Sequence, residues 1–151
     1  MITLKRTTSD DKDFQSLVVL LDQDLRIRDG DEHSFYAQFN KIDSIRNGVV
    51  YYADNLPLGC GALKRHDDAT VEIKRMFVQP DFRGRGIALA ILTELENWAA
   101  ELNYKTCILE TGKKQPEAIA LYTKANYAIM SNFGQYENVE NSLCMSKTIA
   151  H

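Results

Sequence analysis

Met76-Phe77-Val78-Gln79-Pro80-Asp81-Phe82-Arg83-Gly84-Arg85-Gly86-Ile87-Ala88 is the stretch on which the reading of this chain turns. An apolar strand runs through a Pro-Asp turn into a basic loop flanked by glycines. The loop opens directly into a long amphipathic helix. The first N–H groups of a helix have no intrahelical acceptor, and the helix dipole places partial positive charge there. Gly84 and Gly86 let backbone approach an anion without a Cβ in the way, and Arg83 and Arg85 add charge-assisted donors. The stretch is therefore suited to a pyrophosphate. Two other phosphate loops are excluded. There is no Gly-Lys-Ser/Thr, and the three-glycine dinucleotide fingerprint with its later acidic residue is missing.

Composition sets the bounds. A chain of 151 residues with 44% hydrophobic and 26% charged residues suits one globular domain, expected over 1–151. A net charge of −3 gives no general reason to bind nucleic acid or an anionic membrane. Basic character is local, at Lys74, Arg75, Arg83 and Arg85, which fits a small polyanionic ligand better than a long nucleic acid. Cys60, Cys107 and Cys144 are isolated, with no Cys-x-x-Cys pair, and read as buried reduced thiols. No metal site is indicated. No apolar run approaches the ~20 residues of a membrane span, and Met1 to Asp13 is polar. A cytoplasmic location is expected.

The rest of the chain reads as alternating elements. Ile2 to Arg6 alternates as a strand, and Ser9-Asp10-Asp11 is a helix start before Phe14, Leu17, Val18, Leu21 and Leu25. Asp29-Gly30-Asp31 ends that helix, and a second is expected with Phe35, Phe39 and Ile42 on one face. Asn47-Gly48 reads as a turn, and Val49–Ala53 and Leu58–Leu63 as a hairpin around Asp54-Asn55. Thr70 to Val78 is a strand. Period-two alternation would put Glu72, Lys74, Met76 and Val78 on one face and Val71, Ile73 and Phe77 on the other. Ile87, Ile91, Leu95, Trp98 and Leu102 mark the helix after the loop. A strand over 105–111, a short helix over 116–125 and strands over 127–130 and 142–148 complete an α+β order with a mixed sheet.

The basic loop resembles the acyl-CoA-binding motif of the GNAT superfamily of N-acetyltransferases, Gln/Arg-x-x-Gly-x-Gly/Ala. Arg83, Gly86 and Ala88 stand at its three fixed positions, and the apolar triplet Met76-Phe77-Val78 ends two residues before Pro80. Ala118-x-x-Leu121-Tyr122-x-Lys124 is similar to the family's Ala-x-x-Leu-Tyr-x-Lys helix. The resemblance runs from about Asn47 to about Tyr127, and it departs from the pattern twice. Gln115 stands where the family has Asn, and Asn126-Tyr127 where it has Gly-Phe. Asn adopts the left-handed conformation that a helix end needs.

The resemblance implies the GNAT fold: a mixed, mostly antiparallel sheet flanked by helices, with two central strands splayed around acyl-CoA. It implies pantetheine contacts from the backbone around Met76, Phe77 and Val78, and from Gln115. It implies a pyrophosphate cradle from Arg83, Gly84, Arg85, Gly86, Ile87 and Ala88. Tyr122 takes the position of the general acid for the leaving thiolate, and Glu72 that of a base in the histone-modifying branch. For Glu72 the alternative is a strand carboxylate paired with Lys74 or Arg65. Glu110 is a second candidate, as base or as a residue that orders the site.

For the acceptor, Arg75, Glu110 and Tyr136 are candidate contacts, with Tyr36, Tyr52 and the Asn132–Tyr136 loop beside them. The acids Asp22, Asp24, Asp29, Asp31 and Glu32 would attract a cationic amine or form a solvated helix face. The function expected is transfer of acetyl from acetyl-CoA to a primary amine of a small molecule, directly in a ternary complex. The alternatives are acetylation of a peptide or protein amine, and a non-catalytic CoA-binding regulator. The expected partner is the small-molecule acceptor, with no nucleic acid or membrane, and a homodimer is compatible with the pattern.

Overall fold

The computed structural model describes residues 1–29 and 45–149. The second helix expected around Phe35, Phe39 and Ile42 lies outside the described residues, as do Gly30, Asp31, Glu32 and Tyr36. Seven strands form one sheet in the order β1-β2-β3-β4-β5-β7-β6. They are β1 (Ile2–Thr7), β2 (Asn47–Ala53), β3 (Leu56–Arg65), β4 (Thr70–Val78), β5 (Thr106–Gly112), β6 (Ala128–Met130) and β7 (Ser142–Thr148). Among the described residues three helices flank the sheet: α1 (Lys12–Asp29), α2 (Ile87–Glu101) and α3 (Pro116–Lys124).

Local chemistry places the ends of these elements. Asp11 caps α1, its Oδ1 accepting from the Phe14 N–H at 2.9 Å. Asp54 and Asn55 both have positive φ, 50° and 70°, and so form the two-residue turn that matches strand twist between β2 and β3. Asn126, at φ 76°, ends α3 in the left-handed conformation, and the Tyr127 N–H reaches back to the Tyr122 carbonyl at 2.9 Å. Asn47 and Gly48, expected as a turn, instead open β2 and pair with Leu63 and Ala62. A Cβ on Gly48 would lie 3.1 Å from the Phe14 ring, so the small residue there serves packing against α1.

The sheet is filled from both sides. On one face α1 buries Phe14, Leu17, Val18 and Leu21 against Val50, Cys60, Ala62 and Phe77. On the other, Ile87, Ile91, Leu92, Leu95 and Ala99 of α2 and Tyr122 and Ala125 of α3 pack on Val49, Val71, Ile73, Val78 and Leu109. Ile91, Leu92 and Leu95 have no exposed surface, each contributing about 1.5–3 kcal/mol of burial free energy. All three cysteines are free and buried, as expected.

Two irregularities in β4 position the site. Its parallel pairing with β5 covers only Thr70–Thr106, Val71–Cys107 and Glu72–Ile108, and beyond Glu72 the two strands part. On its other edge, Cys60 pairs with Phe77 but Ala62 with Lys74, so two steps of β3 oppose three of β4. This is a bulge, and Arg75 sits in it at φ 61°, in the left-handed region. The extra residue breaks the alternation expected from the sequence. Met76 and Val78 fall in with Val71 and Ile73 on the α2 face, while Phe77 turns to the α1 face. Glu72 and Met76 therefore lie on opposite faces, not together.

Close approach of α2 to β3 depends on Gly59, where a Cβ would come 2.8 Å from the Phe77 carbonyl oxygen and 3.0 Å from Ile91 Cδ1. Backbone cannot yield as a side chain can. Gly59→Ala is expected to lower unfolding free energy by about 1–3 kcal/mol, read as a reduced urea midpoint at unchanged m-value.

Candidate active site between the parted strands

Two adjoining cavities lie along β4 where it parts from β5. The outer one, about 450 Å³, is lined by Met76, Phe77 and Val78 of β4, by Phe82 to Leu89 except Arg85, and by Glu117, Leu121 and Lys124 of α3. The inner one, about 120 Å³, is lined by Glu72, Ile73, Lys74 and Arg75 of β4, Glu110, Thr111 and Gly112 of β5, and Tyr136. Leu21, Met76, Gln115, Ala118 and Tyr122 line both, so the two meet at Tyr122.

The outer cavity ends at the glycine-flanked loop. A short 3-10 turn, Pro80–Phe82, is followed by Gly84 and Gly86 at φ 80° and 82°, and Gly86 caps α2. A Cβ at either glycine would meet nothing within 4 Å. The requirement there is conformational, and the space over the loop is open. Successive N–H groups in this geometry form a concave anion cradle at the positive end of α2. Arg83 turns back toward the strand. Its Nε donates to the Val78 carbonyl at 2.9 Å, Nη2 reaches Asp24 Oδ2 at 3.4 Å, and the guanidinium lies 5.6 Å from the Phe77 ring centroid. Arg85 sits over Phe82 at 5.3 Å. These residues fit a pyrophosphate and its pantetheine arm.

The inner cavity is lined by charged side chains, most of them buried. Glu72 is 5% exposed, and burial raises its pKa above the usual carboxylate value even with Lys74 nearby. The Lys74 Nζ lies 3.9 Å from Glu72 Oε2, and burial lowers the Lys74 pKa. Glu110 accepts a hydrogen bond from Ser142 Oγ at 2.7 Å. Tyr122 and Tyr136 are buried, and burial together with the Glu110 charge pushes both phenols above their ordinary pKa of 10. Both stay protonated through the neutral range.

Arg75 carries two costs. Its left-handed backbone is unfavourable for a long side chain by about 1–3 kcal/mol. Its guanidinium is buried, with Nη1 3.5 Å from Asp22 Oδ1 and Nη2 without a hydrogen-bond partner among the described residues. Leaving a buried donor unpaired costs a further ~1–3 kcal/mol.

The sequence expectations are thus placed as follows. Tyr122, Glu72, Glu110, Gln115, Arg75 and Tyr136 come together in the inner cavity. Met76, Phe77, Val78, Arg83, Gly84, Gly86, Ile87 and Ala88 line the outer one, and Arg85 borders the same loop. Tyr52 lines neither cavity, because its hydroxyl donates to Asp13 of α1 at 2.6 Å. In the Asn132–Tyr136 loop, Tyr136 alone lines the cavity, since Asn132 is bonded to the Val139 and Ser142 carbonyls and Phe133 packs edge-on against Tyr136 and His66. Asp22 and Asp24 of α1, expected to draw in a cation, face Arg75 and Arg83. Lys74, expected as a partner for Glu72, also lines the cavity, and sequence reasoning missed Leu21 and Leu25, which pattern as core residues of α1. Among the described residues no three His, Cys, Asp or Glu side chains group to hold a metal ion, and no helix is long and apolar enough to cross a membrane.

The model of the GNAT acetyltransferase family matches residues 14–127. The chain belongs to this family. A solved structure from Klebsiella pneumoniae, described as a candidate acyl-CoA N-acyltransferase, superposes with a TM-score of 0.82 at 25% identity over 99% of this chain and 98% of its own. The PaiA N-acetyltransferase of Thermoplasma acidophilum, solved in complex with coenzyme A, shares the GNAT fold at a TM-score of 0.73 and 15% identity, covering 98% of this chain and 99% of its own. Among curated relatives, an IAA acetyltransferase of Azospirillum brasilense is 39% identical over 93 residues, 61% of each chain. The chain spans less than two thirds of the length of the curated relatives it matches.

The open, left-handed glycine at the start of α2 leads to a test of the cradle. Gly86→Ala strains a φ of 82° without any clash. It should weaken coenzyme A binding about ten-fold in calorimetry, with less effect on acceptor KM.

Proposed function

We propose that the protein is an N-acetyltransferase that moves acetyl from acetyl-CoA to the primary amine of a small molecule, directly, within a ternary complex. The observation that carries this reading is the meeting of the two cavities at Tyr122, with an anion cradle at one end and buried carboxylates at the other. The family and fold support acetyl-CoA as cosubstrate, and the open loop from Arg83 to Ala88 fits its pyrophosphate. Residues 1–151 would form one acetyltransferase domain, acting in the cytoplasm.

When bound, acetyl-CoA supplies an activated carbonyl and a thiolate leaving group. The chain's residues handle the protons. An ammonium has no lone pair, so the incoming amine must lose a proton first. Glu72 serves as that base: its raised pKa gives it proton affinity, while above that pKa it is an acceptor. Glu110, oriented by Ser142 Oγ, orders the amine beside it. Tyr122 holds its proton at Oη, kept there by burial and the Glu110 charge, and donates it to the departing sulfur. Direct transfer is favoured by the state of the three thiols. Burial lifts Cys60 and Cys107 to about 12 and Cys144 to about 11, so thiolate is scarce near neutral pH.

The name of the Azospirillum relative, an IAA acetyltransferase, favours a small-molecule acceptor. The second reading is a coenzyme A-binding regulator, which would need the cradle but not Tyr122 or Glu72. Tyr122→Phe separates the two. An enzyme should lose roughly ten-fold or more in kcat while its acetyl-CoA KM holds, whereas an unchanged rate removes Tyr122 from the acid's role.

The pH profile tests Glu72. The base works deprotonated, so kcat/KM should rise with pH through a limb lying above the ordinary glutamate value of 4.5. Glu72→Gln should lower the plateau and abolish that limb. Its survival in the variant would show that another group titrates there.

A further inference from the structure

The proposed transfer uses the carboxylates of the inner cavity and Tyr122, but it gives no task to the cations. Lys74 and Arg75 line that cavity with Glu72 and Glu110, Lys74 Nζ lying 3.9 Å from Glu72 Oε2, and the four formal charges cancel. Arg75 stands out. Its side chain is 2% exposed, it lines the cavity, and its Nη2 is a buried donor with no partner among the described residues. The bulge at φ 61° is what turns this side chain to the cavity instead of continuing the strand's alternation. Two independent features, a buried Nη2 donor without a partner and a left-handed backbone at the bulge, thus coincide at one residue.

We propose that Arg75 binds the acceptor, and that the acceptor is an amino acid, bearing a carboxylate beside the amine that receives acetyl. This rests on the acetyltransferase reading and names its substrate class. A guanidinium presents planar paired donors that match a carboxylate, and Nη2 is the donor left open. With the carboxylate on Arg75, the amine end lies toward Glu72 and Glu110, which supply the base and a counter-charge. The pocket is then complementary to a dipolar ligand at both ends. A polyamine or aminoglycoside would instead bring a second ammonium to the Arg75 guanidinium. Asp22 engages Nη1 of Arg75 at 3.5 Å and leaves Nη2 for the ligand. A lysine side chain within a protein has no carboxylate next to its amine and leaves Nη2 unpaired.

The test compares acceptors in matched sets: an amino acid, its carboxamide and its decarboxylated amine, for apolar, acidic and basic side chains. Thiol release from acetyl-CoA is followed, and binding of each compound to the coenzyme A-loaded protein is measured by calorimetry. At least one amino acid should exceed its decarboxylated amine by about 100-fold in kcat/KM, the scale of one buried charge-assisted hydrogen bond. Arg75→Asn keeps a residue that tolerates left-handed backbone, and Arg75→Lys keeps the charge without the fork. Both should raise the amino-acid KM, Asn by about 100-fold and Lys by less, while coenzyme A affinity holds. The rate with the decarboxylated amine should fall by clearly less than the rate with the amino acid. Faster turnover of amines or polyamines than of every amino acid overturns this inference and leaves the acetyltransferase reading standing. Absence of thiol release, with Arg75-dependent amino-acid binding intact, does the reverse. Amino-acid binding equal in wild type and both variants, or none in wild type, overturns the assignment of Arg75.

Discussion

The structure depends on a hydrogen-bonded pairing that stops. β4 and β5 run parallel for three residue pairs and part after Glu72 and Ile108. A parallel ladder in a packed sheet normally continues until one strand ends, because each lost pair leaves buried backbone groups seeking partners. Here the strands are held apart by what lies beside them. β4 is fastened to β3 through its bulge, and β5 to β7 along seven residue pairs from Thr106–Thr148 to Gly112–Ser142. Each strand follows its own outer neighbour, and the interior gap becomes the site. α2 and α3 close it from one face and α1 from the other.

This arrangement explains why groups of unlike chemistry meet in a small space. The parting exposes β4 backbone to the outer cavity. It also brings the β4 and β5 side chains Glu72 and Glu110 to one inner cavity without their being paired residues. The cavity is shielded enough that burial is the first cause of every shifted titration in it, raising Glu72, Tyr122 and Tyr136 and lowering Lys74 and Arg75. Shielding from water strengthens each interaction that remains, which is what proton transfer and charge recognition in a small pocket require.

Much of this was legible in the chain. The strand and helix order followed from periodicity, and the Asp54-Asn55 hairpin and the Asn126 helix end from residues that tolerate positive φ. The basic loop was readable because its chemistry is carried by backbone and glycine, which act wherever a strand feeds a helix. Tyr122 was placed through its helix motif, and the helix delivered it to the junction of the cavities. The facing of β4 was not legible. A bulge adds one residue to a strand without any mark in an alternating pattern, and Arg75 is not a residue type that announces left-handed backbone. Nor was the fate of the α1 acids legible, since Asp22 and Asp24 meet arginines 53 and 59 positions away.

The sequence by itself determined the elements, the family to which the chain belongs and the loop that suits a pyrophosphate, because each rests on contacts within a few residues or on one repeating period. Tertiary structure decided where the strands part, which way each β4 side chain faces and which charges share a cavity. Those outcomes depend on register between strands distant in the chain. A single extra residue in one register moved Phe77 to the α1 face and turned Arg75 into the pocket.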